Sequence, residues 1–243
     1  METVKLQKYF SDCGIMSRRA AEDEIKKGKV TVNGEVADLG LRIDPDCDVV
    51  TYKGKRVLPL DSEKTYILLN KPRGTVTTLS DEKGRPTVIS LLSGLSARVY
   101  PVGRLDFDSD GLLLLTNDGE LTNRLTHPRH QIPKIYHVTV KGDVSAEQLS
   151  KLSSALVIDG YRILPVNTEI IKKAPSSTTL KMTLYEGRNR QIRKMCALCD
   201  LSVLSLTRVA LGNITLGNLP VGKWRYLSEA EVTYLKQESA PKD

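Results

Sequence analysis

Long apolar runs are missing from this sequence of 243 residues. The longest covers five residues, Met195 to Cys199, far short of the ~20 needed to cross a bilayer. The segment Met1-Glu2-Thr3-Val4-Lys5 lacks the apolar core of a signal peptide, so a cytoplasmic protein with no membrane partner is expected. Cysteine is scarce as well. Four residues are too few for a disulfide scaffold and suit a reducing compartment. No glycine-rich phosphate loop of either nucleotide-binding type occurs, so ATP and NAD chemistry find no support and no nucleotide cofactor is expected. His127, His130 and His137 lack metal-ligand spacing. Cys196 and Cys199 have no second pair to complete a zinc site, which leaves buried thiols and no metal. What is present is ordinary for a globular chain, 40 % apolar and 27 % charged. That excludes a disordered tail, collagen and a coiled-coil rod, and the length allows one or two domains with their own cores.

The formal net charge is +7, and its distribution is uneven. Residues 1–62 hold 11 basic and 11 acidic side chains. Residues 181–225 hold eight basic groups against two acids, Glu186 and Asp200. Concentrated positive charge favours a polyanion, because phosphate contacts release counterions. A merely solvated basic face would have the same composition.

The first sixty residues read as a small module. Val4, Leu6, Tyr9, Phe10 and Cys13 have near-helical spacing over 3–12, and Gly14 breaks that helix. Ser17 is placed to cap a second helix over 18–27, which Gly28 ends. Lys29 to Val32 alternates as a strand, Asn33-Gly34 signals a tight turn, and Asp48 to Tyr52 supplies another strand. The run Leu6…Phe10…Gly14…Ser17-Arg18-Arg19-Ala20-Ala21…Ile25…Gly28 to Gly34 resembles the small RNA-binding domain of ribosomal protein S-four, the αL motif. The resemblance implies RNA contacts from Arg18, Arg19 and Lys27.

Asp61 to Lys64 is polar and reads as a linker. Beyond it, strands are expected at 66–69, 75–79, 112–116, 135–140, 168–171, 180–185 and 203–209. Helices are expected at 86–92, 119–125, 146–155, 189–199 and 229–236. The order predicts an α+β fold with a mixed, mainly antiparallel sheet and flanking helices. The boundaries are then residues 1–60 for the first domain, 64–237 for the second and 238–243 for a flexible tail.

The most informative segment runs from Val102 to Gly119. Asp106, Asp108 and Asp110 followed by Gly111 suggest a calcium loop, but its twelfth position is Asn117 where Glu is needed, and the intervening residues read as a buried strand. The segment Gly103-Arg104-Leu105-Asp106 before a Leu-rich strand resembles instead the signature of the RsuA/RluB family of bacterial rRNA pseudouridine synthases. Three further blocks agree: Leu69 to Gly74, Lys134-Ile135-Tyr136, and Glu186 to Met195. The resemblance spans nearly the whole chain. It implies a cofactor-independent isomerase that converts a uridine of ribosomal RNA to pseudouridine. It assigns Asp106 as the catalytic carboxylate, Tyr136 as the active-site tyrosine and Arg193 as the basic partner of Asp106.

These residue types suit the reaction. A carboxylate is needed to attack sugar or base, or to stabilise an oxocarbenium-like centre. Enclosure raises its pKa, and a neighbouring guanidinium opposes that. Tyr136 offers a flat face for the turned base and a hydroxyl for proton transfer. Ile192 is expected to wall the base pocket. Arg104 is placed to fill the space left by a flipped nucleotide or to hold a phosphate. Lys71, Arg188, Arg190 and Lys194 are candidate phosphate contacts, and Asn189 and Gln191 fall in the same block. The expected partner is a ribosomal RNA stem-loop, free or in a pre-ribosomal particle, bound by a monomer. The segment Thr126 to Lys134 looks more like the large-subunit branch, with the small-subunit branch as the alternative. Two other classes remain open at this point: a non-catalytic rRNA-binding assembly factor, and a hydrolase using paired carboxylates.

Overall fold

A computed structural model describes residues 3–59, 63–127 and 130–240. The chain divides into two compact units, residues 1–63 and 64–243. Asp61 and Ser62 of the expected linker, together with Pro128 and Arg129, lie outside the described residues.

In the first unit, β1 (Val4–Lys5) pairs with β4 (Arg42–Ile43) and leads directly into α1 (Leu6–Asp12). The helix therefore starts later than its apolar spacing suggests, because Val4 is used by a strand. Ser17 caps α2 (Arg18–Lys26) by accepting from the Ala20 N–H at 3.2 Å. The strands β2 (Val30–Val32), β3 (Glu35–Val36), β5 (Val50–Tyr52) and β6 (Lys55–Arg56) form a small sheet in the order β3-β2-β5-β6. Asn33 and Gly34 both take positive φ, 53° and 91°, as a two-residue hairpin turn requires. Leu6, Phe10, Ala21, Ile25, Val30 and Ile43 fill the core.

The second unit is built on a nine-stranded sheet. Its strands are β7 (Tyr66–Lys71), β8 (Tyr100–Pro101), β9 (Asp110–Thr116), β10 (Lys134–Lys141), β13 (Asn167–Ala174), β14 (Ser177–Leu184), β15 (Val203–Leu211), β16 (Ile214–Thr215) and β17 (Trp224–Tyr226). The path is β13-β14-β10-β15-β9-β7-β17, with β8 beside β9 and β16 beside β15. A separate hairpin joins β11 (Val157–Ile158) and β12 (Tyr161–Arg162). The helices are α3 (Gly119–Thr126), α4 (Ala146–Ser153), α5 (Gln191–Leu198) and α6 (Glu229–Glu238).

One pairing organises this sheet. Every neighbouring pair is antiparallel except β15 with β9, where Thr207 faces Asp110 and Arg208 faces Gly111. Two antiparallel halves therefore meet at a short parallel seam. One core lies on the β10–β14 half beneath α4 and α5. Two others cover the faces of the β7–β9 half, whose Leu112 to Leu115 are all buried, as a central strand's continuous apolar run requires. Gly111 sits in the seam at φ 103°, and a Cβ there would lie 2.3 Å from the Arg208 carbonyl oxygen.

Three expectations are corrected. Residues 75–79 are not a strand: Val76 makes a single bridge to Thr87, and Thr77 is spent on the neighbouring loop. The helix expected over 86–92 is a 3-10 turn at Val88–Leu91. The expected flexible tail begins too early. Helix α6 continues through Glu238, and Ser239 is fully buried with its hydroxyl donating to the Leu235 carbonyl at 2.6 Å. Residues 241–243 lie outside the described residues.

Gly111→Ala is expected to destabilise the second unit by about 2 kcal/mol or more, from a strained φ and a backbone clash together. Urea denaturation checks this. A midpoint equal to wild type would mean that the seam yields.

Candidate active site

The loop from Val102 to Ser109 carries the three acids into β9. Its shape is held from beneath by Lys71, the last residue of β7. This side chain is fully buried. Its ammonium donates to the carbonyls of Pro72 at 3.1 Å, Asp106 at 3.0 Å and Ser109 at 2.8 Å. All three protons are used, which is the condition for burying such a charge. The Thr77 hydroxyl braces the loop from the side, donating to the Leu105 carbonyl at 2.7 Å and accepting from its N–H at 3.3 Å. The Gly74 N–H donates to the Phe107 carbonyl at 2.8 Å, and the Ser109 N–H closes a turn onto Asp106 at 3.1 Å.

Above this loop lies a cleft of about 310 Å³. It is lined by Arg104, Asp106 and Ser109 of the loop, by Tyr136, Leu184, Ile192 and Leu206, and by residues 186–191. The Asp106 side chain is about one-third exposed at 33 %. The Ser109 hydroxyl is buried with no hydrogen-bond partner among the described residues. Two guanidinium groups approach from the N-terminal end of α5. Arg190 grips Asp108 with both Nη atoms, at 3.1 and 3.0 Å, and its Nη1 lies 3.7 Å from the Asp106 carboxylate. Arg193 donates from Nη2 to the Asp108 carbonyl at 2.9 Å and lies 3.3 Å from its carboxylate. The Arg190 hydrogen bonds, with the charge of Arg193 behind them, hold the Asp108 carboxyl below its ordinary range.

The arrangement sets a carboxylate, a phenol and two guanidiniums around a cleft lined in part by apolar side chains, and matches with known proteins agree with that chemistry. The RNA pseudouridylate synthase family profile matches residues 65–198, and the S4 domain profile matches residues 4–50. An uncharacterised RNA pseudouridine synthase of Aquifex aeolicus is 40 % identical over 97 % of this chain and 94 % of its own length. Ribosomal large subunit pseudouridine synthase B of Bacillus subtilis is 38 % identical over 96 % of this chain and 95 % of its own. A crystal structure of a pseudouridylate synthase superposes with a TM-score of 0.69 at 28 % identity, covering 96 % of this chain and 99 % of that one. The chain belongs to the RNA pseudouridine synthase family. The synthase is an isomerase acting on RNA, and an S4 domain precedes its catalytic domain.

The synthase brings Asp106, Tyr136, Arg104, Arg188, Asn189, Arg190 and Ile192 together around one cleft. It departs from the expected roles at six positions. Lys71 is no phosphate contact, since it is buried under the loop that carries Asp106. Arg193 makes its contacts to Asp108, while the cation nearest Asp106 is Arg190. Asp108, which the sequence brought forward only for the rejected calcium loop, organises both guanidiniums. Asn189 lies outside the helix expected to begin with it, because α5 starts at Gln191 with Arg190 as its N-cap in the left-handed region at φ 52°. Gln191 is buried and ties its own loop together, accepting from the Arg188 N–H at 3.0 Å and donating to Glu186 at 3.2 Å. Lys194 turns away to an ion pair with Asp159. Asp118 caps α3, its carboxylate accepting from the Leu121 N–H at 3.0 Å. Cys196 and Cys199 are buried, and burial pushes the Cys196 thiol up to about 12. Among the described residues no group of three His, Cys, Asp or Glu side chains is arranged to hold a metal.

The role of Lys71 was hidden because a lysine beside Pro72 and Arg73 reads as surface charge. The one available signal was that it ends, after Asn70, a strand whose other residues are apolar. Burial lowers its pKa from 10.5 to about 8. The unfolded chain therefore holds more protons than the folded one between those values, and wild-type stability is expected to rise with pH across that window. Burial lowers Lys134 over the same window, so Lys71→Met should show a smaller rise, and it should lose about 100-fold in turnover through a displaced loop. Denaturation at several pH values and a single-turnover assay check both. A variant with wild-type turnover would remove the clamp from catalysis.

Proposed function

We propose that this synthase isomerises a uridine in large-subunit ribosomal RNA, with Asp106 as the reacting carboxylate. The likeness to the Bacillus subtilis large-subunit enzyme over nearly the full length of both chains supports the choice of RNA. The position of Asp106, partly open at the side of an enclosed cleft and near a permanent cation, supports its role. The reaction breaks the bond from C1′ to N1 of uracil and makes one from C1′ to C5. A proton leaves C5 and N1 regains one, so substrate and product are isomers and no electron donor is required. Asp106 serves at the sugar or the base while the glycosidic bond is open. Tyr136 supplies a flat wall beside Ile192 and Leu206, and a hydroxyl for the proton on C5. The target nucleotide must leave its stack to enter this cleft. Arg104 and Arg188, both exposed at the rim, are positioned for the RNA backbone.

The S4 domain contributes Arg18 and Arg19, exposed on the first turn of α2. Lys27 contributes less than its charge suggests, because Glu24 pairs with it at 2.9 Å and with Lys29 at 3.4 Å. Glu24, bonded by Lys27 and by the Tyr52 hydroxyl, is held down to about 2. Among the described residues no helix is long and apolar enough to cross a membrane, in keeping with a site of action in the cytoplasm, where ribosomes assemble.

Carbodiimide mapping of rRNA from a strain lacking the gene tests the proposal. One stop in large-subunit RNA should vanish and return with the wild-type gene. Loss of a stop in small-subunit RNA would overturn the choice of subunit. Asp106→Asn should abolish tritium release from labelled uridine, and Tyr136→Phe should reduce it by about 100-fold or more. Normal release from Asp106→Asn would remove Asp106 from the chemistry.

A further inference from the structure

Two acids of the loop before β9 lie beside the guanidiniums of α5, and they are treated differently. Asp108 is gripped through both carboxylate oxygens by Arg190, and through its carbonyl and carboxylate by Arg193. Among the described residues the one cation paired with the Asp106 carboxylate is Arg190, whose Nη1 stands 3.7 Å away, too far for a hydrogen bond. The difference matters for a reacting carboxylate. A fork-to-fork pair with arginine engages one in-plane lone pair on each oxygen and draws charge from both, which weakens an oxygen that must attack. A cation just beyond hydrogen-bond reach still favours the anion without capturing it.

Two observations indicate that the guanidiniums are held in place at a cost. Arg190 sits in the left-handed region at φ 52°, uncommon for a residue other than glycine. The Nε of Arg193 is buried with no partner among the described residues. Without Asp108, the one carboxylate of the loop still close to Arg190 would be Asp106.

We propose that Asp108 is a positioning residue of the isomerisation: it takes up the hydrogen bonds of Arg190 and Arg193, so that Asp106 stands beside their charge with its oxygens free. This rests on Asp106 being the reacting carboxylate. The other ionisable groups around Asp106 are Lys71 beneath its loop, Arg104 on that loop, Tyr136 from β10, and Glu186 with Arg188 in the cleft lining. A change at Asp108 leaves all of these in place.

The test is Asp108→Asn in the full chain, with enzyme in excess over an rRNA transcript, from about pH 4 to about pH 8. RNA affinity and thermal melting are measured on the same protein. With the carboxylate neutralised, both guanidiniums are expected to close on Asp106. The single-turnover rate at saturation then falls about 10-fold or more, and the acid limb of the pH profile moves down by about one unit. RNA affinity does not weaken. Asp108→Glu, which restores the charge, should return the limb and part of the rate. An acid limb that stays at its wild-type position overturns the proposal whatever the rate does. So does a loss confined to RNA affinity. Asp106→Asn in parallel separates the two readings. If it turns over normally, the assignment of Asp106 fails. If it is inactive while Asp108→Asn matches wild type, only the role of Asp108 fails.

Discussion

The ammonium of Lys71 is the contact on which the active site depends. An unpaired charge beneath a strand-to-loop junction would be too costly to bury, so the three carbonyls around it must stay where they are. Two of them belong to Asp106 and Ser109, which fixes the ends of the turn that presents the carboxylate. The sheet supports the same geometry. Lys71 and Gly111 are paired across β7 and β9, and Gly111 in turn lies against Arg208 across the parallel seam. The Arg208 side chain is buried and donates to the Leu112 carbonyl at 2.7 Å. Two buried cations thus brace the start of β9 from opposite neighbours, one on each antiparallel half of the sheet. The loop that carries Asp106 is therefore held where the two halves meet, which suits the role proposed for its carboxylate.

The basic stretch at residues 181–225 has a different meaning in three dimensions. Arg208 is structural. Arg225 is paired with Glu231 through two contacts of 2.7 Å, Lys181 lies 3.6 Å from Glu169, and Lys194 is paired with Asp159. Arg190 and Arg193 are occupied by Asp108. Arg188 stacks on the Tyr161 ring at 3.1 Å and lies 3.6 Å from Glu186, exposed at the rim of the cleft. The excess of positive charge is real, but much of it holds elements together. The portion left for RNA is small and lies at the rim. Exposed ion pairs of this kind contribute little stability individually. Their effect is on which cations remain available.

Much was legible along the chain. Apolar runs and turn residues located β7, β9, β10, β14, β15 and the four helices of the catalytic domain, because these are long enough to show a period. Five short strands, β8, β11, β12, β16 and β17, were invisible, since two or three residues cannot show alternation. Residues 75–79 misled for the opposite reason: Thr75 to Leu79 has strand-like composition, yet Thr77 is drawn into bracing Leu105. Spacing by itself also determined that the loop of Asp106 leads into a strand, that Ser17 caps a helix and that Asn33-Gly34 turns a hairpin. These are local matters of hydrogen bonding and φ. Which arginine stands nearest Asp106, and that Lys71 points inward, were decided only by the tertiary structure. Both depend on atoms contributed by segments tens of residues apart, and the free energy of a charged side chain is set by the groups that surround it.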